Sequence, residues 1–248
     1  MRQFDRHAAA YDAVRTRVVY PEALFDHLRH NARAHGRALD LGCGTGTSTS
    51  HLVGSFRAVD GIDLGARLVE RARANVPGAT FFVSTAEAFE PAAPYDLVTC
   101  ATAFYWMDRD AVLAKLPAWL GPGGIFCAYR YEFPIVYGPL RDVVERELAL
   151  RWSRYRDPRL VDYDDTLERM QARPALVEAR RLVFPNVLAF TPREVGSFFL
   201  STSYVTRFIE EEGGASYAEE LLARIEAADP SPAVRVNFDV HAFFARVA

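Results

Sequence analysis

Leu39-Asp40-Leu41-Gly42-Cys43-Gly44-Thr45-Gly46-Thr47-Ser48 is a short apolar run that opens into three alternate glycines. A strand that feeds such a loop and then a helix lets the backbone approach a ligand closely at the carboxyl end of a sheet. Upstream, Pro21 to Leu28 reads as a helix with proline at its first position. Downstream, a helix is expected around Thr49 to Leu52, then a second strand at Ala58–Ile62 and a helix over Ala66–Asn75. Strands follow at Thr80–Val83 and Tyr95–Cys100, then a helix at Ala111–Leu120 and a fifth strand at Gly124–Tyr129. Short strands alternating with helices indicate βαβ units and a parallel sheet. Five strands before residue 132 are too few for an eight-fold barrel.

After Phe133 the pattern changes. Leu140–Arg156 is an amphipathic, Arg-rich helical stretch, and Asp164–Gln171 is another. Strand candidates at Ala179–Phe190 and Val234–Val247 are separated by Pro192–Glu211 and a helix at Tyr217–Ala227. The last strand alternates apolar and polar with period two, which suits an antiparallel or edge strand. The expectation is one α/β domain over 1–248, a Rossmann-like, doubly wound sheet of seven mostly parallel strands with an antiparallel C-terminal strand. Residues 1–133 form its ligand-binding half, about 134–178 a helical insertion or lid, and 179–248 complete the sheet.

Composition narrows the functional classes. The 248 residues carry 29 basic and 32 acidic side chains, a net charge of -3, so there is no electrostatic footprint for nucleic acid. Lys115 is the single lysine among otherwise arginine cations. No apolar run approaches a membrane span, and Met1 to His7 has no secretory apolar region. Cys43, Cys100 and Cys127 are widely spaced, which argues against disulfides and structural zinc and fits a reducing cytoplasm. No metal is expected, and the chain is read as a monomer or homodimer.

Asp40, two residues before the first glycine, discriminates between ligands. A pyrophosphate prefers free backbone N–H groups at a helix N-terminus, and a carboxylate beside it repels the phosphates. A cationic nucleoside reverses that preference. Asp63 ends the second strand 17 residues past Gly46. Asp60 is a rival acid inside the same strand, and a helix cap is the plain alternative role for Asp63.

With the acid, the GxGxG loop and Asp63 at that spacing, the segment from about Tyr11 to Phe133 resembles the class I S-adenosylmethionine-dependent methyltransferases. Within them it is similar to the small-molecule subgroup that includes trans-aconitate methyltransferase-like proteins. The resemblance implies S-adenosylmethionine as cofactor, with Asp40, Gly42, Gly44 and Gly46 in its loop and Asp63 on the ribose hydroxyls. Leu64 follows that acid, Ala86 and Glu87 flank the adenine, and Ala101, just after the fourth strand, completes the cofactor-binding set. Gly65 departs from the serine common in relatives. Ala101-Thr102-Ala103-Phe104-Tyr105-Trp106 looks like the stretch that in the subgroup reads His-Trp, with Tyr105 here in place of the His. The N-terminal piece with Phe4, Tyr11 and Tyr20 resembles a helix that folds over the cofactor, and an aromatic face near a sulfonium offers cation–π attraction.

Substrate-binding candidates are therefore Tyr20, Tyr105, Trp106 and Arg130, the last able to bind an acidic acceptor in bidentate fashion. Its plainer role is an ion pair with Glu132 or Asp239. Tyr105, Glu132 and His241 are candidates for a proton-accepting catalytic role, needed only where the acceptor must lose a proton. Arg151, Arg154 and Arg156 are expected to draw an anionic substrate beneath a lid, against the alternative of a solvated helix face. The leading reading is methyl transfer by in-line displacement to an O, N or C nucleophile of a small organic acceptor, in secondary metabolism. A cofactor-binding regulator without activity is the alternative, and an NAD-dependent oxidoreductase fits less well because of Asp40 and the loop spacing.

Overall fold

A computed structural model describes residues 18–160, 165–214 and 216–248. The expected alternation runs α1 (Glu22–Asn31), β1 (Arg37–Leu41), β2 (Ala58–Asp63), α2 (Ala66–Asn75), β3 (Thr80–Val83), β4 (Tyr95–Ala101), α3 (Arg109–Trp119) and β5 (Leu120–Tyr131). Then come β6 (Ile135–Val136), α4 (Leu140–Glu147), α5 (Thr166–Gln171), β7 (Leu176–Phe184), β8 (Val187–Phe190), α6 (Pro192–Leu200), α7 (Ser203–Phe208), α8 (Tyr217–Ala228), β9 (Val234–Asn237) and β10 (Val240–Val247).

The main sheet has the order β3-β2-β1-β4-β5-β10-β7. Its first five strands are parallel, and β10 is antiparallel to both β5 and β7. This is the seven-stranded, mostly parallel arrangement the alternation implies. The order reverses between β1 and β4, which is where an open α/β sheet leaves a ligand crevice at its strand ends.

The strands read as apolar runs because both faces are covered. Leu39, Leu41, Val98 and Phe126 pack with Val112, Leu113 and Leu116 of α3. Ala38, Leu97, Ile125 and Cys127 pack with Leu24, Phe25 and Leu28 of α1 on the opposite face. Each such buried aliphatic or aromatic side chain contributes about 1.5–3 kcal/mol. Asp108 caps α3 by accepting from the Ala111 backbone N–H at 3.0 Å, which fixes the chain as it leaves β4 for the helix.

The structure differs from the sequence reading in four respects, three of them in the C-terminal half. The segment Ala179–Phe190 is two strands in two sheets, because Pro185-Asn186 turns the chain between β7 and β8. Val234–Val247 is likewise split at Phe238-Asp239, with β9 leaving for a small antiparallel sheet of order β6-β9-β8. The long helix expected over Leu140–Arg156 is α only to Glu147, then widens to a π turn over Leu148–Trp152 and tightens to 3-10 over Ser153–Tyr155. The helix expected near Thr49 is a single 3-10 turn, Thr49–His51.

The inserted material is not confined to 134–178. Val136, Leu140 and Trp152 share a buried cluster with Phe199, Leu221 and Phe238, so the second layer is completed by residues on both sides of β7. Met170 of α5 packs instead into the main core. Among the described residues, no helix is long and apolar enough to cross a membrane.

Candidate functional site

The glycine loop leaves β1 with Gly42, Gly44 and Gly46 all at positive φ (65°, 55° and 91°). Two of the three are there for close packing. A Cβ on Gly42 would lie 2.5 Å from the Ala103 Cβ, and one on Gly46 would lie 2.7 Å from Val76. Gly44 is different, since nothing lies within 4 Å of where its Cβ would be. Its freedom serves a left-handed turn at the rim of open space, as a loop receiving a ligand requires.

Asp63 fastens this loop. Its Oδ2 accepts from the Gly44 N–H at 3.0 Å, and its Oδ1 accepts from the Gly65 N–H at 2.8 Å, at the start of α2. The carboxylate is half-buried at the tip of β2, beside the exposed Leu64 (49%). In register with Asp63 on β3 stands Val83, 53% exposed. An acid bordered by two exposed apolar side chains suits a ligand with a polar ribose and an apolar base. Asp60, the rival, is buried and held by Arg37 Nη2 and the Tyr95 hydroxyl, each at 2.7 Å, away from the strand tips.

Asp40 takes a role its position in the motif does not reveal. It is wholly buried, so it touches no ligand and acts on one only through its field. Thr49 Oγ1 donates to it at 2.7 Å, Thr99 Oγ1 at 2.8 Å and Ser48 Oγ at 3.4 Å. Ser48 Oγ in turn lies 2.5 Å from the buried Tyr129 hydroxyl. Burial raises the Asp40 pKa from 3.8 to about 6, the hydroxyls offsetting only part of the desolvation. The same burial pushes the thiols of Cys43 and Cys100 far above their ordinary range, which leaves both inert at neutral pH.

In the loop after β3, where the sequence places the adenine, Ala86 is buried, and Glu87 uses Oε1 to accept from the Asp108 backbone N–H at 2.8 Å. Burial raises the Glu87 pKa, but backbone hydrogen bonds, led by that of Asp108, bring it below the usual glutamate value. Glu87 thus ties the loop after β3 to the start of α3, and that oxygen is not open to a base edge. Ala101 is half-buried at the end of β4.

Beside the C-terminal ends of β4 and β5 lies a small cleft that opens to solvent. Thr102, Tyr105, Arg130, Thr166 and Phe243 are among its lining residues. Tyr105 lies tilted against Trp106, with ring centroids 5.2 Å apart, and the Arg159 guanidinium lies 4.4 Å over the Trp106 ring. Tyr20 reaches the same place, its hydroxyl 2.8 Å from Thr102 Oγ1 and its ring edge-on to Tyr129 at 5.2 Å. Tyr11 lies outside the described residues.

Two expectations are corrected by the geometry. Glu132 Oε1 lies 3.7 Å from Arg130 Nη2, 3.6 Å from Arg181 Nη2 and 3.4 Å from His241 Nδ1, and Arg181 donates to that same His241 nitrogen. Glu132 is thus engaged by the side chains around it, and His241 already uses one ring nitrogen as acceptor. Of the three candidates for the proton-accepting role, Tyr105 alone lines the pocket. Asp239, the other possible partner of Arg130, instead accepts from the Asn186 N–H. The lid arginines are corrected too. Arg151 is bound to buried Glu147 at 2.5 Å, and Arg154 is paired with Glu212, so both hold the second layer together. Arg156 lies 5.3 Å over Phe133. The arginine of this run that meets a substrate-binding candidate is Arg159, over the Trp106 ring.

Ser48 and Thr49 adjoin the glycine loop and were within reach of local reasoning. Thr99 and Thr166 come from distant segments, and nothing in the sequence pairs them with the site. Among the described residues, no group of three His, Cys, Asp or Glu side chains is placed to hold a metal ion.

Residues 38–124, from β1 into β5, match the methyltransferase domain family. The malonyl-[acyl-carrier protein] O-methyltransferase of Halalkalibacterium halodurans is 33% identical over 139 residues, 50% of this chain and 51% of that protein. The trans-aconitate 2-methyltransferase of Rhizobium leguminosarum bv. trifolii is 35% identical over 92 residues, 36% of each chain. The matches thus span about half or less of the length of these relatives. A solved structure assigned provisionally as a type II methyltransferase, from Anaeromyxobacter dehalogenans, superposes over 93% of this chain and 97% of its own, with a TM-score of 0.74 and 28% identity.

Proposed function

We propose that this chain, which carries a domain of the methyltransferase family over residues 38–124, transfers a methyl group from S-adenosylmethionine to a small organic acid. The observation that carries the cofactor half is the loop at Gly44. Open space faces its backbone, Asp63 is bound to its N–H, and Leu64 and Val83 stand exposed beside it. These residues fit a nucleoside whose ribose meets a carboxylate and whose base lies against apolar side chains. The cofactor supplies a methyl group already activated by a positive sulfur, so the protein's task is alignment in a dry pocket, which is worth up to about 7–11 kcal/mol.

The chain's own residues supply that alignment. Asp63 fixes the loop and presents the ribose acceptor, and Asp40 places negative potential beneath the loop when ionised. Tyr105 lines the acceptor side, with Trp106 beside it and Tyr20 hydrogen-bonded to Thr102. Arg130 lines the pocket with the hydroxyl-bearing Thr102, Tyr105 and Thr166. A guanidinium with hydroxyl donors suits a carboxylate, which is ionised at neutral pH and needs no base to become a nucleophile. Relatives are named as methyltransferases of trans-aconitate and of a malonyl-[acyl-carrier protein], which supports an acidic acceptor. Calorimetry with S-adenosylmethionine, followed by assay of S-adenosylhomocysteine release with trans-aconitate, malonate and neutral or amine counterparts, tests both halves. Binding without turnover on any acceptor supports a non-catalytic cofactor-binding protein instead.

A further inference from the structure

Thr102 has a backbone conformation that its side chain disfavours. It follows the last residue of β4 with φ 53°, a left-handed value that is uncommon for any residue but glycine and an outlier for a β-branched one. Such conformations persist only where surrounding contacts enforce them, and they concentrate at functional sites. Three contacts enforce this one. The Thr102 N–H donates to the Tyr129 carbonyl at 2.7 Å, its Oγ1 bonds the Tyr20 hydroxyl at 2.8 Å, and the turn it makes sets Ala103 against Gly42. From there the chain enters the 3-10 turn Phe104–Trp106, which carries Tyr105 and Trp106. Thr102 itself lines the pocket.

We propose that Thr102 is a positioning residue for methyl transfer, holding two elements at the acceptor pocket at once: the Tyr20 phenol beside it through its hydroxyl, and the turn that carries Tyr105 and Trp106 through its strained backbone. This rests on the methyltransferase reading of the site. The left-handed turn is what allows one residue to hold both, because an ordinary extended residue at the end of β4 would carry the chain away from Gly42. Thr102 tolerates its conformation because the pocket requires it.

The test separates placement from stability. Trp119 and Trp152 are fully buried and Trp106 is half-buried, so acrylamide quenching of tryptophan emission reports on Trp106. Thr102→Gly relieves the strain and removes the hydroxyl. Its melting temperature should hold or rise, while the Trp106 quenching constant rises about two-fold. With the fastest acid among trans-aconitate, malonate and benzoate, kcat should fall at least ten-fold at an unchanged S-adenosylmethionine Kd. Thr102→Ser keeps the hydroxyl and should restore most of both readouts. Tyr20→Phe should lower kcat comparably, and the double variant Thr102→Val/Tyr20→Phe should be no worse than either single change. Wild-type quenching and kcat in Thr102→Gly overturn the proposal. A wild-type protein that binds the cofactor and methylates none of these acids contradicts the acceptor reading separately, and the quenching comparison then decides Thr102 alone.

Discussion

Replacing Asp40 by Asn should make the protein more stable at neutral pH relative to acid, although Asp40 lies at the centre of the binding motif. The folded pKa of about 6, against an ordinary 3.8, means the native state binds this proton more tightly than the unfolded chain does. Stability from this group is therefore greatest in acid and declines as pH rises through the window from about 4 to 6. The shift of about 2 pK units corresponds to about 3 kcal/mol at full development, and about 2 kcal/mol of that develops between pH 4.5 and 7.5. Asn resembles the protonated acid in shape, and the hydroxyls of Ser48, Thr49 and Thr99 can rotate to meet its amide. Urea unfolding of both proteins without ligand, at pH 4.5, 6 and 7.5, isolates the effect, because every other acid titrates alike in the two. The stability difference between variant and wild type should move in favour of Asn by about 2 kcal/mol across that range. A difference flat in pH would refute the reasoning, since Asp40 would then ionise in its cage as easily as in water.

The same group should read the charge of the cofactor: S-adenosylmethionine should gain on S-adenosylhomocysteine in affinity by roughly ten-fold (about 1.4 kcal/mol) from pH 5 to 7.5, and Asp40→Asn should abolish the gain in a calorimetric series. Asp63→Ala should weaken cofactor binding by about 2–4 kcal/mol, because the ribose loses a charged acceptor and the Gly44 and Gly65 N–H groups lose theirs. Gly44→Ala and Gly46→Ala should separate in thermal melts and titrations. The first should cost about 1 kcal/mol of stability yet impair binding, whereas the second should cost more stability because its Cβ meets Val76. Arg130→Gln should raise the acid acceptor's KM at least ten-fold and Arg130→Lys less, while Arg151→Gln should leave KM unchanged and lower the melting temperature, because Arg151 pairs with buried Glu147.

What the sequence disclosed was local in the chain. The run into Gly42, the spacing to Asp63 and the alternation of strands and helices are each set within a few tens of residues, and the sheet follows from them. What it concealed depends on partners brought from afar. Asp40 sits in the motif, but the Thr99 and Tyr129 that complete its hydroxyl cage lie 59 and 89 residues on. Glu87 stands next to the expected adenine site and is taken by Asp108. Arg154 belongs to a basic run that suggests a lid until Glu212, 58 residues away, is seen to hold it. The strands around Asn186 and Asp239 read as continuous because nothing in periodicity marks a change of sheet. Here the side chain of Asp239 accepting the Asn186 N–H at 2.8 Å makes the crossing. Thr102 left no signal at all, since threonine is among the residues least expected at a left-handed turn.

Titration calorimetry at pH 7.5 with S-adenosylmethionine and NAD tests directly whether the strand-tip crevice is built for a cationic nucleoside. The prediction is saturable 1:1 heat with S-adenosylmethionine, lost in Asp63→Ala, and no binding of NAD. Tight binding of NAD with no response to S-adenosylmethionine would contradict it.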